Sequence, residues 1–528
     1  MNGLGVNRAF GAAGFIVVAL ILFLYLSYPN NRVEFSQFNS NDPSEYITLS
    51  QSLYKKGEYT RNVDGDYVPH KTWPPGMPLL LLPSVISGET VNQLVGKYTI
   101  IILSLTSLLL IWLISYQFTH SLWLGGFVST IIAMNPVYWE LSRVLLPSIP
   151  VTFWCLASFY IIFKTYKSAA NVKYYFWVGL LTGLGVLIKG TLIVLAVLPT
   201  AYFIYSYVFL NQTFFSNLHY NVKTYAVFLF GFLFTFALWM IRNSQIPSEG
   251  LGFDGINQVA MIMAKEPADP SLGYLSPLDI INNVRNNIIW HLIYILPENV
   301  IPFFNFIELR NLRFGNYIAI FSSIFIFVVS LLKWRITGLF YAIILPMIAI
   351  LIPMSTGGSE RYWVVISVFV AMAFYISLFL TIQDKVTNIN KHLWIKLSCL
   401  SYFIIQAYLL MNYAQAFEKQ PSNTQHDYPE FVKLVTFLQS YCLDNEAIIS
   451  TNKNAAAISA YTQCKAPKTN LQLKVTPLYS YVILRKKYCT KSCESIGEIT
   501  YTNKGWVLLR LPKHLNKTQI DSLIRGIN

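Results

Sequence analysis

The chain has 528 residues, of which 54% are hydrophobic and only 12% charged, with a mean hydropathy of +0.46. That balance excludes an ordinary soluble globular protein and marks a polytopic membrane protein. The net charge of +14 does not point to nucleic acid, because no basic stripe interleaved with exposed aromatics runs through the sequence. Positive loops facing anionic lipid account for it, and the many Tyr, Phe and Trp residues fit aromatic belts at the two membrane surfaces.

Taken in order, Met1 to Arg8 is short and carries one positive charge, and Ala9 to Tyr28 is an apolar run long enough to cross the hydrocarbon core. No small-x-small cleavage site precedes Pro29-Asn30-Asn31, so this run is read as an uncleaved first span rather than a signal peptide. Residues 29–91 then form a first exterior loop. Within it, Asp42, Glu45 and Tyr46 lead into an amphipathic run through Leu49 and Leu53, and Trp73-Pro74-Pro75-Gly76 closes it. Two successive prolines forbid a continuous helix, so the loop is expected to fold back along the membrane surface.

Further apolar runs lie near 92–115, 121–139, 149–166, 175–188, 191–210, 222–241, 316–332, 336–353, 362–382 and 394–413. With the first span they predict a membrane all-α fold, a polytopic bundle of about 11 transmembrane helices. Short connections on the N-terminal side hold Arg8, Lys164, Lys167, Lys173, Lys223, Lys333, Arg335, Lys385 and Lys391, whereas those on the other side hold only Arg143, Lys189 and Arg361. The bias places the N-terminus in the cytoplasm. An odd number of crossings then puts the C-terminal tail outside. Residues 243–315 form a second long exterior loop, amphipathic through Ile280 to Leu296, of a length that serves either as a lid or binding segment or as packing.

The domains are therefore expected at 1–413, a multi-pass transmembrane domain, and 414–528, a small extracytoplasmic α/β domain. In the tail, helices are expected at Tyr428 to Tyr441 and Thr518 to Ile527, and strands at Ala447 to Ser450, Ser480 to Leu484 and Trp506 to Leu511. Cys442, Cys464, Cys489 and Cys493 fall there, where an oxidising exterior favours one or two disulfides over a metal site without histidines. Cys155 and Cys399 lie inside spans and are expected to serve packing.

Two sets of side chains carry possible chemistry. Asp42 and Glu45, three residues apart, share a helix face near an apolar boundary, where a carboxylate is suited to general-base work. The same pair could instead cap a surface helix, since Asn41-Asp42-Pro43 is a helix-start signal. Arg143, Lys189, Arg242 and Arg361 stand at exterior helix ends, and Lys189 interrupts the apolar run GLLTGLGVLIKGTLIVLAVLP. A lone lysine there meets an anion or snorkels to the interface. Four such cations on one side favour an anionic ligand, of which a lipid phosphate is the nearest at hand. No Walker loop, no GxGxxG followed by an acidic residue, no HExxH and no GxSxG is present.

Asp42 with Tyr46 and the Leu49 to Leu53 run, Trp73-Pro74-Pro75-Gly76, Ser142-Arg143, Gly183 to Lys189-Gly190, Trp239 with Arg242-Asn243, and Glu360-Arg361-Tyr362 occur in an order and spacing that resembles the GT-C superfamily of integral-membrane glycosyltransferases. The nearest branch includes protein O-mannosyltransferases and the aminoarabinose transferase of lipid A. The resemblance covers roughly residues 10–413. It implies a multi-pass protein of a bacterial inner (plasma) membrane that transfers a sugar, with inversion, from a polyprenyl-phosphate donor to a lipid, glycan or protein acceptor on the exterior leaflet. Asp42 would be the general base. Glu45, Tyr46, Lys71, Trp73, Arg143, Lys189, Arg242, Arg361 and Tyr362 would bind substrate, with the cations stabilising the departing phosphate. No cofactor is implied, and the sequence does not support a divalent metal. Two departures stand out: Pro147-Ser148-Ile149-Pro150 occupies the place where many relatives carry an acidic residue, and Trp73 stands where some carry a lysine, with Lys71 two positions upstream. The reading from another class is a non-enzymatic polyprenyl-phosphate carrier or flippase, which the scarcity of intramembrane charge disfavours.

Overall fold

The computed structural model describes residues 41–63, 66–86, 92–167, 171–209, 218–247, 263–265, 272–304, 314–354, 360–385 and 389–419, with four strands in the tail. The expected first span, the tail helices and the four tail cysteines lie outside the described residues. The chain divides into two compact units. One takes in Lys71–Met77 and Ile100–Gln415, and the other draws on Pro29–His70, Pro78–Thr99 and Ala416–Asn528.

The helical elements in chain order are α1 (Asn41–Lys56), α2 (Gly76–Ile86), α3 (Gln93–Thr119), α4 (Leu122–Ala133), α5 (Pro136–Leu141), α6 (Ser148–Lys167), α7 (Val172–Leu184), α8 (Leu198–Phe209) and α9 (Leu218–Ser244). They continue with α10 (Pro277–Asn287), α11 (Leu296–Val300), α12 (Gly315–Leu332), α13 (Trp334–Thr337), α14 (Tyr341–Leu351), α15 (Glu360–Lys385) and α16 (Ile389–Lys419). Every apolar run predicted from residue 92 onward falls on helix. Among the described residues seven helices are long and apolar enough to cross a bilayer: Leu94–Thr119, Ser148–Tyr166, Gly190–Val208, Tyr220–Ser244, Gly315–Leu332, Trp334–Leu351 and Arg361–Asp384. Shorter apolar helices accompany them, and the protein is a multi-pass membrane protein.

The run at 121–139, predicted as one span, is broken. Pro136 has no amide hydrogen to continue α4, and the Asn135 side chain caps α5 by accepting from the Tyr138 amide at 3.0 Å. The two helices around Lys189 depart from α geometry as well. After α7 the chain passes through a 3-10 turn at Gly185–Leu187 and a second, eight-residue 3-10 segment at Gly190–Val197. Such long 3-10 runs are uncommon and mark an irregular, packed segment.

α15 is the central helix of its unit, with 72% of its apolar window buried against 33% for α9. Apolar side chains of α9 and α12, such as Phe230, Leu238, Tyr317 and Phe321, are exposed, as lipid-facing surfaces require. Buried polar bonds pin the interior: the Asn135 side-chain amide donates to the Asn299 carbonyl at 2.7 Å, that of Asn299 to Ser367 Oγ at 3.1 Å, and the Tyr375 hydroxyl to the Val300 carbonyl at 2.8 Å. α7 and α9 pack backbone against backbone. A Cβ at Gly179 would stand 2.0 Å from the Phe228 carbonyl oxygen, and one at Gly231 would stand 2.2 Å from that of Phe176.

In the other unit, α1 forms where Asn41-Asp42-Pro43 signals a helix start, with Asp42 in its first turn. It is followed by a hairpin that sequence reading missed, β1 (Thr60–Val63) paired antiparallel with β2 (Asp66–Pro69). Asp64-Gly65, a strong hairpin signal, lies between those strands in sequence. In the tail, β3 (Ala447–Ser450), β4 (Tyr479–Arg485) and β6 (Trp506–Arg510) fall on the expected strands, and β5 (Glu498–Thr502) is an addition. They form a mixed sheet of order β3-β4-β6-β5, with β3 parallel to β4 and the other pairs antiparallel.

The glycine contacts make a direct prediction. Gly179→Leu or Gly231→Leu should lower stability by about 2 kcal/mol through overpacking, read as earlier thermal unfolding in detergent, whereas Leu181→Ala, at an exposed position of α7, should change it little.

Candidate functional site

Lys189 sits where the apolar path breaks. Its backbone is extended, with φ −156° and ψ 129°, between the two 3-10 segments. The ammonium of this half-buried residue stands 3.5 Å from the centroid of the Tyr362 ring. At the start of α15, the Arg361 guanidinium lies 5.0 Å from the same ring and donates to the Tyr362 hydroxyl at 3.2 Å. One tyrosine thus holds two cations, its face attracting Lys189 and its oxygen taking Arg361. Two positive groups are gathered on one neutral ring.

A second pair of cations lies in the same unit. Lys71 is buried, and both that burial and the neighbouring Arg242 charge hold its ammonium below the ordinary lysine pKa. The Arg242 guanidinium rests 5.0 Å from the Trp239 ring and donates to Asn243 Oδ1 at 2.8 Å. The Asn243 amide in turn donates to the Lys71 carbonyl at 3.3 Å, so the end of α9 grips the Lys71–Met77 segment. Gly76 seats that segment on the turn before Lys189, since a Cβ there would stand 2.5 Å from the Leu187 carbonyl oxygen. Trp73, in between, is buried. The structure therefore joins Lys71 and Arg242, joins Lys189, Arg361 and Tyr362, and ties the two groups through Asn243 and Gly76. Such an assembly can contact an anion with several oxygens, because it brings cationic donors from separate stretches of the chain close together.

Arg143 occupies a different setting, buried with its guanidinium 4.3 Å from the Trp139 ring, which meets Tyr413 of α16 edge-on. Ser148, at the position of the departure from the resemblance, opens α6 and is buried. Among the described residues no cluster of three or more His, Cys, Asp or Glu side chains is placed to hold a metal ion.

Asp42, Glu45 and Tyr46 belong to the other unit. Asp42 is half-buried in the first turn of α1, and Tyr46 is buried one turn on. Glu45 is buried and pairs with Arg61 of β1 at 3.2 Å. It thereby braces helix to hairpin, as does the short contact between Ser52 Oγ and Thr60 Oγ1 at 2.5 Å. Sequence reasoning passed over Lys97, which is 1% exposed on α3; its position inside the 92–115 run carried the same signal that singled out Lys189. It also passed over His291 and Asn287, for which no motif exists.

Two measurements follow from this geometry. With lysines carbon-13 methylated for NMR, the Lys71 signal should titrate below that of an ordinary lysine, losing charge first as pH rises, and Arg242→Ala should move it back up; a Lys71 that titrates at or above the ordinary value contradicts the contact. Glu45→Gln, by removing the carboxylate that faces buried Arg61, should cost about 3 kcal/mol of unfolding free energy, with Glu45→Gln/Arg61→Met recovering most of it.

The sequence matches no protein-family model and no curated protein. Solved structures do match. ArnT from Cupriavidus metallidurans bound to undecaprenyl phosphate aligns with a TM-score of 0.58 at 10% identity, over 94% of this chain and 97% of that one. An Archaeoglobus fulgidus oligosaccharyltransferase in complex with Zn and sulfate aligns with a TM-score of 0.53 at 14% identity, over 90% and 69%. AglB of the same organism, in complex with an inhibitory peptide and a dolichol-phosphate, aligns with a TM-score of 0.52 at 13% identity, over 96% and 75%. Across nearly its whole length the chain has the fold of these membrane proteins, the GT-C fold that its sequence resembles.

Proposed function

We propose that the protein is a glycosyltransferase that moves a sugar from a polyprenyl-phosphate donor to a lipid, glycan or protein acceptor of the cell envelope. The observation that carries this reading is the assembly of Lys189 and Arg361 on Tyr362, tied to Lys71 and Arg242. A lipid monophosphate offers several oxygens to the donors of such an assembly. The fold likeness to proteins solved with undecaprenyl phosphate and dolichol-phosphate supports the same donor class.

In this reaction an acceptor hydroxyl attacks the anomeric carbon from the face opposite the phosphate. The new carbon–oxygen bond forms as the bond to the phosphate oxygen breaks, and the electron pair leaves with the polyprenyl phosphate, inverting the centre. Asp42 takes the acceptor's proton. The leaving phosphate needs no general acid, since it is a weak base; it needs cations, which Lys71, Lys189, Arg242 and Arg361 supply. Glu45, Tyr46, Trp73, Arg143 and Tyr362 complete the substrate-binding set in this proposal. The site faces the exterior leaflet of a bacterial inner membrane, with the N-terminus cytoplasmic and the tail outside.

A second reading, a polyprenyl-phosphate carrier without chemistry, is favoured by one observation, the irregular backbone around Lys189, because transporters build sites from broken helices. Turnover separates the two. Purified protein given a labelled polyprenyl-phosphate sugar and an envelope extract should transfer the label. Asp42→Asn should slow transfer by at least about 100-fold while donor binding persists. Unchanged transfer by that variant removes Asp42 from the chemistry, and movement of intact donor between leaflets without transfer favours the carrier.

A further inference from the structure

The second long loop contributes an element with no counterpart among the sequence motifs. α10 begins at a capping box: Ser276 Oγ accepts from the Asp279 amide at 3.2 Å, Asp279 Oδ2 accepts from the Ser276 amide at 2.9 Å, and Pro277 follows. Without a break the helix then changes character. Ile288–Ile295 is π-helical, and α11 resumes α geometry at Leu296. π segments are rare and recur at functional sites.

The side chains at 283, 287 and 291 explain what this one does. The Asn283 amide donates to the Pro353 carbonyl at 3.2 Å, and the Asn287 amide donates to the carbonyls of Ile352 at 2.7 Å and Met354 at 3.0 Å. His291, fully buried, stacks on Trp363 with ring centroids 4.4 Å apart and planes 9° from parallel. The helix therefore holds the chain on both sides of the connection between α14 and α15. In an α-helix, residues four apart drift by about 40°. The wider i→i+5 winding advances each residue by less, so it keeps His291 closer to the face of Asn283 than continued α geometry would. Farther along, Ser323 Oγ anchors the π segment by donating to the Leu292 carbonyl at 2.7 Å.

Trp363 directly follows Arg361 and Tyr362 on α15, so the rotation of Trp363 about the helix axis fixes theirs. We propose that His291 and Asn287 are positioning residues for the anion site: by stacking on Trp363 and holding the carbonyls of Ile352 and Met354, they set where the Tyr362 ring meets Lys189 and where Arg361 points. This rests on the proposed reading that the site binds a polyprenyl phosphate. A displacement of about 1 Å at such a site is costly, and a flat ring at 291 is what the stack demands.

The test is a double-mutant cycle read as the dissociation constant of a prenyl monophosphate, measured on detergent-purified, monodisperse full-length protein by native mass spectrometry. His291→Leu, which keeps apolar volume but no ring, should weaken binding roughly tenfold, and His291→Phe, which keeps the ring, should stay within about twofold of wild type. In a Tyr362→Leu background, which removes the ring and hydroxyl that hold Lys189 and Arg361, His291→Leu should add little further. Should His291→Leu fail to fold, Asn287→Ala enters the same cycle with the same expectation. Additive losses, or a His291→Phe as weak as His291→Leu, overturn the positioning role while leaving the donor reading in place. A wild-type protein that binds no prenyl phosphate overturns that reading and this inference with it.

Discussion

A lysine inside an apolar membrane segment must be compensated, and the fold around Lys189 is organised by that requirement. Its ammonium is not left to hydrocarbon. The backbone abandons α geometry on both sides of it, opens into an extended residue, and delivers the charge to the face of Tyr362. A continuous helix through this point would fix the lysine by the helical screw alone. The break frees it to meet a ring on a distant helix, which ties the middle of the chain to α15, the most buried span.

Other parts of the same unit support that junction. The close approach of α7 and α9, possible only with hydrogen as the side chain at Gly179 and Gly231, joins the helix leading to Lys189 with the helix ending at Arg242. Asn243 then grips the Lys71 carbonyl, and Gly76 lets the Pro-Pro segment lie on Leu187. The cations come from separate stretches of sequence, and backbone contacts or aromatic rings help to place each of them. In the other unit a buried carboxylate, Glu45, pairs with Arg61 of the neighbouring strand.

Much of this was legible in the sequence, and the failures have physical causes. Hydropathy located the apolar helices from residue 92 onward, and among the described residues seven helices are long and apolar enough to cross a bilayer, because a long apolar run has few alternatives to helix in lipid. Lys189 and Arg361 stood out because charge in or beside an apolar run is costly. The break at Asn135-Pro136 was written in the proline, yet hydropathy averaging hid it. The β1–β2 hairpin went unread because its strands are polar and only four residues long, despite the Asp64-Gly65 signal between them. Nothing in the sequence foretold the partner of Lys189, since Lys189 and Tyr362 meet only through tertiary packing. The π segment was equally hidden: the amphipathic pattern at 280–296 is shared by α and π windings, and Ser323, Trp363 and the carbonyls at 352–354 decide between them.

In the proposed function Lys71, Lys189, Arg242 and Arg361 form one receiving site for a lipid phosphate. An experimental structure of the protein in nanodiscs supplemented with a prenyl monophosphate tests it most directly. The account predicts phosphate density within about 4 Å of the Lys189 and Arg361 nitrogen atoms, with the prenyl chain running toward lipid. Phosphate density elsewhere on the molecule, or an unliganded Tyr362 region at saturating lipid, contradicts it.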